Sequence, residues 1–235
     1  MMSARVRRTG AAVMVPIWLA ACAQLPPEGT PLTPQQREEA QKTCIAQYTA
    51  MGAIGGALLG MLVSSKNDRT QGALIGAAAG GAIAYSIAWG KCLRYYSDVN
   101  SFPVADARQT AAAIGYKPAK GELVKVQSFT VHPAKLRPGE TLNLQASYYV
   151  MAPEGTRDVK VVETRTVHFY DPEAKAWKEL GSEQTPLTAA LGTRRSDGKV
   201  GMPPEVAEGR YRVTFKVSAL GRSDETSQEI LISKS

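Results

Sequence analysis

Residues 44–92 read CIAQYTAMGAIGGALLGMLVSSKNDRTQGALIGAAAGGAIAYSIAWGKC, and this stretch decides how the chain is organised. From Cys44 to Ser65 it runs 22 residues without a charge, and from Thr70 to Gly90 another 21. At 1.5 Å per residue each would form a helix about 30 Å long, the thickness of a hydrocarbon core. Between them Lys66, Asn67, Asp68 and Arg69 make a turn polar enough to stay in water, and Asp68 with Gln71 has the spacing of a capping box. The pattern predicts a helical hairpin.

Glycine costs about 1 kcal/mol relative to alanine inside a helix, so eight glycines in the 30 residues from Gly52 to Gly81 need a reason. Their spacing supplies it. Gly52, Gly56 and Gly60 recur every four residues on the first helix, and Gly72, Gly76 and Gly80 do so on the second. Each series lays a smooth ridge along one helix face, where another backbone can approach closely. Leu58, Leu59, Met61, Leu62, Leu74 and Ile75 stand away from the ridges and suit lipid or a neighbouring copy. Tyr48, Tyr85, Trp89, Tyr95 and Tyr96 cluster at the open end, as an interfacial aromatic belt would, or as packing against a following domain would.

The first 21 residues carry Arg5, Arg7 and Arg8, followed by an apolar run from Gly10 to Ala21, the order of a secretory signal. That run is too short to span a membrane. Leu19, Ala20, Ala21 and Cys22 resemble the lipobox of bacterial lipoproteins. The resemblance implies a lipid on Cys22, which becomes the new N-terminus, and Ala23 after it favours the outer membrane. Residues 22–43 then form a tether kept extended by Pro26, Pro27, Pro31 and Pro34, with Thr33, Pro34 and Gln36 reading as a helix start.

Cys44 and Cys92 remain as an even pair in an oxidising compartment. Cys44 stands 22 residues before Lys66 and Cys92 stands 23 after Arg69, so antiparallel helices bring the two level to within about 1.5 Å. They are expected to form a disulfide that clamps the open end of the hairpin.

The two GxxxGxxxG helices, the polar turn and the lipobox together resemble the glycine-zipper outer-membrane lipoproteins, the group containing SlyB and the rickettsial 17 kDa surface antigen. The resemblance covers residues 22–92. It implies that Gly52, Gly56, Gly60, Gly72, Gly76 and Gly80 support membrane insertion and self-association. The closing cysteine pair and everything after Gly115 depart from it.

Beyond the hairpin the period changes to two. Residues 93–120 read as a short helix, Ala105 to Ile114 capped by Gly115, and a hinge from Lys117 to Gly121. Leu142, Leu144, Ala146, Tyr148 and Val150 alternate with polar neighbours, and so do Tyr211, Val213, Phe215 and Val217. Further strands are expected over 123–131, 159–169, 177–180 and 230–232, with turns at 137–140 and at Asp197-Gly198. About seven strands in residues 121–235 suggest an Ig-like antiparallel β-sandwich. Glu208-Gly209-Arg210-Tyr211-Arg212-Val213 resembles the tyrosine corner of such domains, and Trp177 reads as the core plug. The fold class is thus α+β multi-domain: a membrane hairpin followed by an Ig-like sandwich.

Composition narrows the function. The chain has 235 residues, 28 basic and 21 acidic. A mean hydropathy of −0.19 excludes a polytopic transporter. Removing Arg5, Arg7 and Arg8 lowers the formal charge from +7 to +4, a modest surplus that gives no reason to expect nucleic acid. His132 and His168 sit apart in sequence, and no GxSxG, HExxH, P-loop or zinc-cysteine pattern occurs. Arg194, Arg195 and Lys199 read as a solvated loop, with contact to lipid phosphates or peptidoglycan as the alternative. The sequence therefore points to a non-enzymatic lipoprotein of the Gram-negative outer membrane, without catalytic, metal or cofactor residues beyond the lipid on Cys22. Its expected partners are membrane lipid, further copies of itself and an envelope protein on the Ig-like domain. An adaptor subunit of a secretion, pilus or polysaccharide-export machine is the alternative, and a pore former a further one.

Overall fold

The computed structural model describes residues 25–27, 30–63, 81–155 and 157–234, with the backbone alone given for 50–63. Helix α1 spans Pro34–Val63 and the described part of α2 spans 81–91, followed by a one-turn α3, Leu93–Tyr96. At the start of α1 the Thr33 hydroxyl accepts from the Gln36 amide at 3.3 Å and the Gln36 side chain accepts from the Thr33 amide at 3.0 Å. That is the capping box expected there, and it makes residues 34–43 helix rather than extended tether. The Asp68 cap, and with it Gly72, Gly76 and Gly80, lies outside the described residues. Gly52, Gly56 and Gly60 lie on α1.

The rest of the chain is mainly antiparallel β structure with one further helix. Strand β1 is Ser97–Asp106, helix α4 is Ala107–Ile114, and strands β2 to β5 are Leu123–His132, Lys135–Leu136, Thr141–Met151 and Asp158–Asp171. Strands β6 to β9 are Ala176–Ala190, Gly192–Gly201, Gly209–Ala219 and Arg222–Ile232. Four strands form one sheet in the order β1-β7-β4-β2, and five form a second in the order β3-β9-β8-β5-β6. Only the short β3–β9 pair among them is parallel. The alternation along β4 and β8 turns one side of each inward, so Phe129 of β2 stacks on Phe215 of β8 at 5.7 Å and Tyr148 of β4 lies 6.0 Å from the same ring. These contacts join the sheets through one apolar core.

Four further readings change here. The β structure starts at Ser97, not at Gly121, because β1 pairs with β7 along its whole length. Residues 117–121, read as a hinge, are a turn tied down by the Tyr116 hydroxyl, which donates to the Gly121 carbonyl at 2.7 Å. Asp197-Gly198 is not a turn but the middle of β7. Trp177 is not a core plug: it lies half-buried on β6, stacked edge-on against Tyr170 at 5.3 Å, with the Arg212 guanidinium 4.0 Å above its ring. By contrast α4 ends as expected, with Gly115 in the left-handed region at φ 61° and its amide bonded to the Ala111 carbonyl.

Candidate membrane-anchoring junction

Helix α1 and the described part of α2 are packed directly onto the β structure rather than joined to it by a linker. Cys44 and Cys92 are bonded, with Cα atoms 5.9 Å apart, and both are fully buried. Around this bond the backbone of the α3 turn is capped from α1: Arg37 donates to the Ser97 carbonyl at 3.0 Å and Gln41 to the Tyr95 carbonyl at 2.8 Å. The segment before α1 is held as well, since the Pro26 carbonyl accepts from Arg94 at 2.9 Å and from the Tyr95 hydroxyl at 3.2 Å.

Helix α2 enters the β core with one face. Ala88 and Trp89 have no exposed surface, and the Trp89 indole donates to the Gly201 carbonyl at 3.1 Å. Ser86 accepts from the Ala207 amide at 2.9 Å and lies 3.1 Å from the Tyr211 hydroxyl. That hydroxyl donates to the Ala207 carbonyl at 2.7 Å, four residues upstream, which is the tie expected from the tyrosine corner. Burial, opposed by the bond to Ser86, pushes the Tyr211 phenol up to about 12. Deeper still, α2 and β6 touch backbone to backbone: a Cβ on Gly181 would stand 1.9 Å from the Gly90 carbonyl oxygen. A side chain at either position would force α2 or β6 to shift.

The aromatic cluster thus divides. Trp89 and Tyr95 pack into the body of the protein rather than forming an interfacial belt, whereas Tyr48 stays 37% exposed. Among the described residues near the disulfide, the other exposed large apolar side chains are Ile83 and Ile87, one turn apart on α2. Among the described residues no helix is long and apolar enough to cross a membrane, which leaves β-barrels unaddressed. Cys22 lies outside the described residues.

A second joint, missed in the sequence, lies between the sheets. Glu163 and Arg165 of β5 both face inward and are paired at 2.9 Å with almost no exposure. The Glu163 carboxylate also accepts from Ser196 at 2.6 Å, Ser101 at 2.7 Å and the Tyr148 hydroxyl at 2.8 Å. Arg165 donates to Ser196, and Arg194 donates to the Ser101 carbonyl at 3.0 Å. Burial alone would raise the Glu163 pKa. The Ser196 bond, the Arg165 charge and the bonds from Ser101 and Tyr148 outweigh it and hold the carboxyl below its ordinary range. The same burial, with the Glu163 charge beside it, pushes the Tyr148 phenol far up. Arg194 is therefore a buried strand residue, not part of a solvated loop, while Arg195 pairs with Asp197 at 2.8 Å.

His168 stands on the outer face of β5 and His132 at the end of β2. Among the described residues no three His, Cys, Asp or Glu side chains converge.

Solved structures similar to this chain include Spo0M, a sporulation control protein from Bacillus subtilis, with a TM-score of 0.35 and 10% identity over 46% of this chain and 49% of that one. Another is the alkylpurine DNA glycosylase AlkC from Pseudomonas fluorescens bound to DNA containing an abasic site analog, with a TM-score of 0.36 and 14% identity over 85% of this chain and 48% of that one. This chain spans about half the length of each, and at these scores neither likeness carries an argument. No curated protein matches it. Residues 47–88 match a family model described as the glycine zipper 2TM domain, which fits a membrane-associated protein of the SlyB and 17 kDa antigen type.

Proposed function

We propose that the chain is a non-enzymatic lipoprotein of the outer membrane, anchored by a lipid on Cys22 and by the glycine-ridged hairpin, which presents its β structure to the periplasm as an Ig-like domain and supports the envelope by self-association. The observation that carries this reading is the junction: a segment matching a glycine zipper domain is tied by a disulfide at its base and built directly into the β core. Force or position at the membrane is then transmitted to the β structure without a flexible link. In lipid no hydrophobic drive brings helices together, so close backbone packing at Gly52, Gly56, Gly60, Gly72, Gly76 and Gly80 would supply the attraction between copies. The Tyr211 tie to Ala207 supports the Ig-like reading.

The test is palmitate labelling combined with oligomer size in mild detergent. Wild type should label and form oligomers when expressed alone. Cys22→Ser should lose the label, and Gly56→Leu or Gly76→Leu should lose the oligomers while Leu59→Ile keeps them. A labelled protein that stays monomeric until a machine is co-expressed would instead favour the adaptor reading, with the Ig-like domain as its binding module. Ion leakage through vesicles would favour a pore.

A further inference from the structure

We propose that the exposed face of Tyr48, Ile83 and Ile87 at the hairpin base is itself a contact with the bilayer interface, so that the β structure sits flush on the membrane rather than at the end of a stalk. This inference rests on the anchoring proposed above. Two observations lead to it. First, both membrane roots lie at one pole of the molecule. Cys22 precedes Pro26 by four residues, a reach of about 14 Å at most, and Pro26 is fixed to Arg94 and Tyr95 just past the disulfide. The lipid and the hairpin therefore enter the same leaflet from the same side.

Second, Tyr48 and Ile87 share a level, with Ile83 one turn away. Tyr48 is four residues beyond Cys44 and Ile87 five before Cys92, so the disulfide places them within about 1.5 Å of each other along the helix axes. Ile83 follows one turn further on, on the same side of α2 as Ile87. The opposite side of α2 is occupied by the β core through Ser86 and Trp89, so this face is the one left open.

The experiment uses the mature, lipidated full chain reconstituted in vesicles of phosphatidylethanolamine and phosphatidylglycerol. Tyr48, Ile83, Ile87 and, at the opposite pole, Arg222 are replaced one at a time by azidophenylalanine, which leaves the Cys44–Cys92 bond undisturbed, and coupled to a fluorophore. Lipids carrying a nitroxide at the headgroup should quench the labels at 48, 83 and 87 and leave the label at 222 bright. Protein that floats with the vesicles while all four labels stay bright overturns the flush arrangement and leaves the anchor standing. Bright labels, combined with photo-cross-links to another copy from protein carrying uncoupled azidophenylalanine at position 87, assign this face to self-association and overturn it equally. Protein that fails to float with the vesicles removes the anchor, and the inference with it.

Discussion

Two buried joints hold this molecule together, and they are made of different materials. Where α1 and α2 meet the β structure the partners are a disulfide, a glycine backbone laid against another glycine backbone, an indole and two hydroxyls. Between the sheets they are a carboxylate, two guanidinium groups, two serines and a phenol. The difference teaches where each joint can fail. The first depends on volume and oxidation state and has no buried charge at its centre. The second depends on the pairing of opposite charges in a buried site, where losing one partner leaves the other unpaired. A perturbation that weakens one joint should therefore leave the other largely intact.

The largest expected effect is at the charged joint. Glu163→Gln keeps the volume but leaves the Arg165 guanidinium, 2% exposed, without its counter-charge. Breaking a buried pair in this way costs about 3–5 kcal/mol. Denaturant melts of the full chain in mild detergent, followed by tyrosine and tryptophan fluorescence, should show the β transition shifted by that amount. A loss within error of zero would mean that the network contributes only orientation.

Acid should separate the joints without mutation. The folded Glu163 carboxyl titrates below its unfolded value, so its contribution is present above the ordinary carboxylate pKa and is lost as pH falls through the depressed one. Stability of the wild type should fall on acidification below about pH 4, and the slope should be shallower in Glu163→Gln. Parallel slopes in the two proteins would assign the acid sensitivity to other carboxylates.

At the hairpin base, replacing Cys44 and Cys92 together by alanine opens a loop of sequence separation 48. On the chain-entropy model this removes up to about 4 kcal/mol. Hydrogen exchange should then speed up in residues 81–91 while the amides of β4 and β8 keep their protection. Uniform acceleration through both sheets would show that the hairpin base and the β core unfold as one unit.

How much of this was legible in the sequence follows the same division. The alternation of Leu142 to Val150 and of Tyr211 to Val217 gave β4 and β8 because apolar side chains face inward at every second position. The even cysteine pair, the oxidising compartment and the register of Cys44 against Cys92 together led to the disulfide, and Thr33 with Gln36 marked the helix start through its reciprocal bonds. Strands β1 and β7 were not legible. Their inward positions include Ser101, Arg194, Ser196 and Gly198, polar or small residues that break the alternation and read as loop. Such residues enter a core only because Glu163, Arg165 and Tyr148 on other strands pair with them, and no local pattern announces a partner some 30 to 90 residues away. Trp177 was misplaced for a related reason: its ring is stabilised at the surface by Arg212 and Tyr170, a contact that hydrophobicity alone does not reveal. The seating of α2 was visible only as an open choice between a lipid belt and domain packing, since an aromatic serves both.

A smaller effect tests the backbone contact. Gly181→Ala places a Cβ where Gly90 already stands, and because the obstruction is main chain, either α2 or β6 must shift. Overpacking of this kind costs about 1–3 kcal/mol. The outcome should be a loosened α2, read as faster exchange in residues 81–91, with the acid profile of the charged joint unchanged. An altered acid profile would couple the joints and break the comparison.

The smallest expected effect is at Trp89, where packing and polarity can be separated. The indole is fully buried and its Nε1 donates to the Gly201 carbonyl. Trp89→Phe keeps an aromatic ring in the core but removes that donor and part of the ring volume. A lost hydrogen bond of this type is worth about 1 kcal/mol, and the carbonyl it leaves lies at the end of β7, close to where Met202 bonds to Glu140. The variant should therefore keep its disulfide, its sheets and its membrane attachment, with exchange faster only around residues 88–90 and 201–202. If membrane attachment were lost while the β structure kept its stability, Trp89 would belong to the lipid contact after all, and the boundary between hairpin and β structure would have to move toward the disulfide.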